Sequence, residues 1–110
     1  MALLSDRQSV AANAVVANAL SGKTQEFVAE PSVIRFYITA AAVGLFATCL
    51  VGDEIVVEDQ EVNAQNRMPI VPDDFLAEAG GLQGDRIVVK LRNSTGAAIV
   101  AFTRVEVEPA

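Results

Sequence analysis

From Val33 onward the apolar residues of this chain recur at every second position. Ile34, Phe36 and Ile38 alternate with Arg35, Tyr37 and Thr39, the pattern of a strand with one face in a core. Val43 to Val51 is apolar on both faces, which predicts a strand covered on both sides. Asp53 to Val62 alternates again, with Ile55 and Val57 opposite Glu54, Val56 and Glu58, and so reads as a strand with an acidic wet face. Asn63 to Pro72 is rich in turn residues, and Pro69 and Pro72 each remove a ladder donor, so at most a short edge strand fits there. Asp73 to Ala79 predicts one or two helical turns stopped by Gly80-Gly81. Ile87, Val89 and Leu91 then alternate with Val88, Lys90 and Arg92. Asn93-Ser94-Thr95-Gly96 has the chemistry of a hairpin turn, and Ala97 to Glu108 returns as the longest strand.

The first 32 residues follow a different rule. Ser5 with Gln8 three positions later has the spacing of a reciprocal helix cap, and the small apolar residues up to Leu20 predict a short helix ended by Ser21-Gly22. Residues 23–32 read as an extended connector broken by Pro31. This organisation predicts an N-terminal helical or extended arm and connector at 1–32 and a β-domain at 33–110, the latter a small antiparallel β-sandwich or barrel of jelly-roll or immunoglobulin-like kind. Its expected core is Ile34, Phe36, Ile38, Leu45, Ile55, Val57, Ile87, Val89, Leu91, Ile99 and Val105. The arm carries too few large apolar groups to order itself, so Val10, Val15, Val16 and Leu20, with Asn13 and Asn18 bonding backbone, are the candidate contacts with a partner.

Composition narrows the chemistry. The 110 residues are 52% hydrophobic and only 5% aromatic, which is the make-up of a folding or assembling chain and not of a disordered one. The sequence has no histidine and a single cysteine, so the commonest general base, the commonest metal ligand and an intrachain disulfide are all missing. Eight basic against fourteen acidic residues give a net charge of −6, which disfavours nucleic acid and anionic membranes as partners. The acidic pairs Asp53-Glu54, Glu58-Asp59 and Asp73-Asp74 read as solvated faces and a helix start, and none has calcium-loop spacing. Cys49, in an apolar strand without a basic neighbour, reads as a structural thiol. No catalytic residue, cofactor, metal or small-molecule substrate is expected.

The uncharged run Phe36 to Gly52 reaches the length of a short membrane helix, and a small membrane or pilus-type subunit is one alternative. The mixture of β-branched and aromatic residues around Ala40 to Gly44 favours two buried strands instead. The opening MALLSDRQSV lacks a basic region ahead of an apolar core and does not read as a secretory signal.

Two resemblances bear on function. Arg67 to Leu91, with Ile70-Val71-Pro72, Phe75 to Ala79, Gly81-Leu82 and Gly84-Asp85, resembles the AbrB-type swapped-hairpin regulators, which implies a dimeric DNA-binding or antitoxin-like module with a short helix at Phe75 to Ala79. Glu54, Glu58, Asp59 and Glu61 stand where that family places basic side chains. The arm, the acidic β-domain and the pieces Pro72 to Phe75, Gly84 to Ile87 and Leu91 to Gly96 resemble the small decoration, cement or minor capsid proteins of phage virions. That resemblance implies a non-enzymatic structural protein of a virion, made in the host cytoplasm, whose partners are copies of itself and/or a capsid shell protein. The physical argument agrees with it. A chain this small buries about two thirds of its unfolded surface, and an unusually apolar one disposes of the rest against neighbours.

Overall fold

The alternation is realised as nine strands in the computed structural model, which describes residues 2–22, 26–65, 67–69 and 75–109. They are β1 (Ala2–Val10), β2 (Val15–Val16), β3 (Ser32–Ala40), β4 (Leu45–Val51), β5 (Glu54–Glu61), β6 (Asn63–Ala64), β7 (Phe75–Gly81), β8 (Ile87–Asn93) and β9 (Ile99–Pro109). One sheet runs β1-β9-β3, with β7 and the two-residue β6 sharing the far edge of β3. The other runs β2-β8-β4-β5, and neither closes into a barrel. The antiparallel pairings are nested: β1 with β9, β2 with β8, β3 with β7, and β4 with β5. The chain is therefore one long hairpin, folded at β4–β5, whose successive rungs fall in alternate sheets. Only its tip joins consecutive strands, through the two-residue loop Gly52-Asp53, where Gly52 has the positive φ of 59° that such a loop favours.

The two sheets share one core. Ile34, Phe36, Ile38, Ile99 and Val105 enter it from one side and Leu45, Ala47, Cys49, Val51, Ile87, Val89 and Leu91 from the other. Packing is close enough that a Cβ on Gly81, at the end of β7, would lie 2.4 Å from Ile34 Cδ1 and 3.3 Å from Val51 Cγ1, so a larger residue there would have to displace core side chains. Ten of the eleven expected core residues are buried. Ile55 is not: it is 54% exposed. The β4–β5 register pairs Cys49 with Val57 but Leu50 with Ile55, so one extra residue, Val56, bulges between them and reverses the phase of the strand. Val57 faces the core opposite Cys49, and Ile55 faces outward with Leu50.

Other expectations are corrected by the pairing. Residues 5–20 form no helix. β1 pairs with β9 along nine positions, β2 pairs with β8, and Val10, Ala19 and Leu20 lie in the same core as the strands after residue 33. Pairing with β9 along its whole length seats Leu4 and Val10 in the core, which an isolated short helix of small side chains could not match. The helical turns expected at 73–79 are likewise replaced, from Phe75 onward, by β7 on the open edge of β3; Asp73 and Asp74 lie outside the described residues. The helix implied there by the regulator resemblance is absent too. Val43 to Val51 is covered on one side only, with Val43 69% exposed. Phe36 to Gly52 gives strands β3 and β4 in different sheets, and among the described residues no helix is long and apolar enough to cross a membrane. The short edge strand expected within 63–72 is β6, parallel to β3.

Asn93-Ser94-Thr95-Gly96 turns as expected but makes no hairpin, because β8 and β9 belong to different sheets. The buried Asn93 side chain holds this corner. Its Nδ2 donates to the carbonyls of Val10 at 3.0 Å, Ala11 at 3.2 Å and Ala97 at 2.8 Å, while its Oδ1 accepts from Thr95 N and Oγ1. Asn18 does similar work at the other end of β8. Its Oδ1 accepts from Val89 N and its Nδ2 donates to Ile87 O, so one side chain pairs as a strand residue would.

Two stability predictions follow from this packing. Asn93→Ala strands several buried polar groups and should cost at least about 2 kcal/mol in urea unfolding. Asn93→Asp should cost more at neutral pH, where a carboxylate would face three carbonyl oxygens. That excess should shrink as pH falls toward about 4, because a carboxyl facing carbonyl oxygens takes up its proton above the ordinary carboxylate range. Deleting residues 1–22 removes Val10 and Leu20 from the core and strips β9 of one of its two partner strands, so the truncated chain should give an unfolded circular dichroism spectrum; a melting temperature within a few degrees of the full chain would contradict this.

Candidate functional site

The outward faces of the two sheets differ. On the β1-β9-β3-β7 sheet, Arg35 sits mid-sheet with Glu78 opposite on β7 and Glu106 opposite on β9. Its Nε bonds Glu78 at 2.7 Å, and its Nη1 bonds Glu106 at 2.8 Å and Glu108 at 2.6 Å. Glu108 first, then Glu106 and Glu78, hold the guanidinium charged by raising its pKa. Farther along, Thr39 Oγ1 donates to Arg67 O and Arg104 Nη1 to Pro69 O, so the 67–69 segment lies across this face and leaves Tyr37 and Thr39 buried. Burial, with Glu106 second, raises the Tyr37 pKa. This face is covered or paired.

The β2-β8-β4-β5 sheet presents an open face. Core-facing Leu45, Ala47, Cys49 and Val51 on β4, and Ile87, Val89 and Leu91 on β8, leave Phe46, Thr48 and Leu50 with Val88, Lys90 and Arg92 turned outward, none of them fully buried. Strand register arranges them in rows: Val15, Arg92, Phe46 and Glu61 in one, Lys90 and Thr48 in the next, and Val88, Leu50 and Ile55 in the third. Arg92 lies 4.4 Å over the Phe46 ring and reaches Asp59 with two bonds of 3.0 and 2.9 Å. Arg92 thereby lowers the Asp59 pKa, and Asp59 raises that of Arg92. Asp59 itself is bulged, with φ 46° and its amide donating to Thr48 Oγ1. A shallow groove of about 370 Å³ runs between these side chains, lined by Val15, Thr48, Ile55, Glu58, Asp59, Lys90 and Arg92.

The candidate contacts from the sequence are dispersed. Val10 and Leu20 are core residues, Val16 packs against the core, Asn18 is bound to β8, and Asn13 is exposed at φ 55° with its amide donating to Thr95 O. Only Val15, 53% exposed, reaches the groove. Ile55, Lys90 and Arg92 were not singled out, although the alternation of β8 places the two cations on the wet face. Among the described residues no group of three or more Cys, Asp and Glu side chains is placed to hold a metal. Cys49 is fully buried, and burial pushes its thiol up to about 12.

No protein-family model matches the chain. No curated protein and no solved structure matches it either.

The segment after β2 is fixed on β8 by Glu26, a buried carboxylate that accepts from Gly22 N at 2.9 Å and Arg86 Nε at 2.6 Å. The Gly22 amide first, then Arg86, lower its pKa from the ordinary 4.5. Its contribution is therefore complete above that value and is lost as pH falls through the lower folded pKa. Glu26→Gln should destabilise the protein near pH 6, and the gap to wild type in urea midpoint should close toward about pH 3. A gap independent of pH would mean that the ionic form does not matter there.

Proposed function

We propose that this chain is a non-enzymatic structural subunit of a virion or similar assembly, in the manner of a decoration, cement or minor capsid protein, and that its two sheets form a jelly roll. The strand order carries the reading. With the two-residue β6 set aside, the sheets run first-eighth-third-sixth and second-seventh-fourth-fifth, the wrapped-hairpin order of a jelly roll. Viral capsid proteins use that architecture, and so do lectins and cupins, so the step from fold to role is one of analogy.

Two features of the surface favour assembly over catalysis or small-molecule binding. Among the buried or part-buried polar side chains, Asn18, Glu26 and Asn93 are committed to holding strands and corners. The least covered sheet face carries apolar Val15 and Ile55 beside charged residues on rigid strands, the make-up of a docking surface. A net charge of −6 suits a protein on the outer side of a shell and opposes binding to nucleic acid.

The test is sedimentation velocity of the purified chain over about 10 to 500 μM, spanning the affinities of small interfaces. Species larger than the 11.6 kDa monomer are expected. A chain that stays monomeric throughout overturns the assembly reading, and glycan binding by that monomer would move it to the lectin use of the same architecture.

A further inference from the structure

The open face of the β2-β8-β4-β5 sheet has its charges sorted by strand. Lys90 and Arg92 stand on β8, while Glu58, Asp59 and Glu61 stand on β5, with β4 and its Phe46, Thr48 and Leu50 between them. Arg92 and Asp59 neutralise each other across Phe46. Lys90 and Glu58 remain, both exposed and neither in an ion pair or hydrogen bond among the described residues. They line the same groove from opposite sides, with Thr48 between them and apolar Val15 and Ile55 at its margins. A surface with a basic strip and an acidic strip on either side of an apolar centre complements itself.

We infer that this face is the contact between two copies of the chain, stacked sheet on sheet about a two-fold axis that runs along the strands. The inference rests on the reading that the chain self-associates. Such an axis keeps strand direction and exchanges left for right, so an axis passing over β4 lays β8 of one copy over β5 of the other. Lys90 then faces the partner copy's acidic strand, which carries Glu58. The other in-plane two-fold, across the strands, would stack each basic strand on its own copy and is excluded by like-charge repulsion. Each contact occurs twice because the interface is isologous. Stacked sheets pack about 10 Å apart, close enough for Ile55, Leu50 and Val88 to bury their exposed surface between them.

The footprint is small. Three strands at about 4.8 Å spacing and seven residues of about 3.3 Å give roughly 14 by 23 Å, toward the weak, reversible end of protein interfaces. That is the affinity range suited to a subunit that is fixed in place by a larger assembly.

Charge exchange tests the geometry. Lys90→Glu and Glu58→Lys each place like charges together twice per dimer, and each should weaken dimerisation at least about tenfold by sedimentation. An equimolar mixture of the two variants should form a heterodimer with affinity near that of wild type, since every pair is then opposite in sign. Both side chains are exposed, and thermal melts close to wild type would show the fold intact. Ile55→Ser, which adds no charge, should also weaken the dimer about tenfold by removing apolar area from the contact. A dimer whose affinity ignores all three substitutions, or variants that fail to recover on mixing, overturns this interface while leaving self-association standing. A wild-type chain that stays monomeric overturns both.

Discussion

Between β8 in one sheet and β9 in the other, the backbone leaves one ladder before it enters the next, and the Asn93 carboxamide supplies the hydrogen bonds that neither ladder provides. It binds carbonyls at the end of β1, in the following loop and at the approach to β9, so two segments distant in sequence, 10–11 and 93–97, meet on one side chain. The nested pairing depends on corners of this kind. Every rung except β4–β5 joins strands separated by intervening chain, and loop closure must be met before those contacts return any stability. A polar side chain with all its partners in place is well suited to such a corner, because the arrangement that satisfies it is unique, whereas apolar packing alone tolerates slippage.

The same economy explains why the two outer faces differ. The sheet containing β1 and β9 carries Arg35 among three carboxylates and has the 67–69 segment laid across it, so the groups around Arg35 and Thr39 are partnered within the chain. The opposite sheet has one internal ion pair, Arg92 with Asp59, and otherwise leaves apolar and charged residues side by side in the open. Exposed ion pairs contribute little to stability, so this face is nearly free to serve recognition without weakening the fold.

Much of the strand content was legible from the alternation of apolar residues, because a half-buried strand has to show it. Ile34, Phe36 and Ile38, and Ile87, Val89 and Leu91, are buried as the pattern requires. What the pattern does not encode is the partner of each strand. Asn93 to Gly96 has hairpin chemistry, yet the turn carries the chain between sheets. Nor does propensity anticipate an unpaired edge: Phe-Leu-Ala-Glu-Ala prefers helix locally, but the free side of β3 offers it a ladder, and the ladder prevails in β7. The candidate contact surface was legible in one residue, Val15. Ile55 was lost to the bulge at Val56, which shifts the strand by one position without any glycine or proline to mark it.

Edges decide what kind of assembly such a chain forms. β1 ends its sheet with nine residues whose outer side pairs with no strand among the described residues, and a bare edge of that length invites open-ended strand addition. Two polar side chains oppose it. Asp6 and Gln8 lie on the core-facing side of β1 between Leu4 and Val10, and Gln8 Nε2 donates to Asp6 Oδ2 at 2.6 Å, so another sheet added there would have to bury an acid at the seam. The outer strand of the other sheet, β5, is guarded by Glu54, Glu58, Asp59 and Glu61, whose like charges would meet if two such edges came together. With these two edges made unfavourable, face-on-face contact is the favoured route to burying apolar surface. A two-fold contact there is used up once two copies have met, so growth stops at a closed pair, whereas edge addition would continue into a fibre.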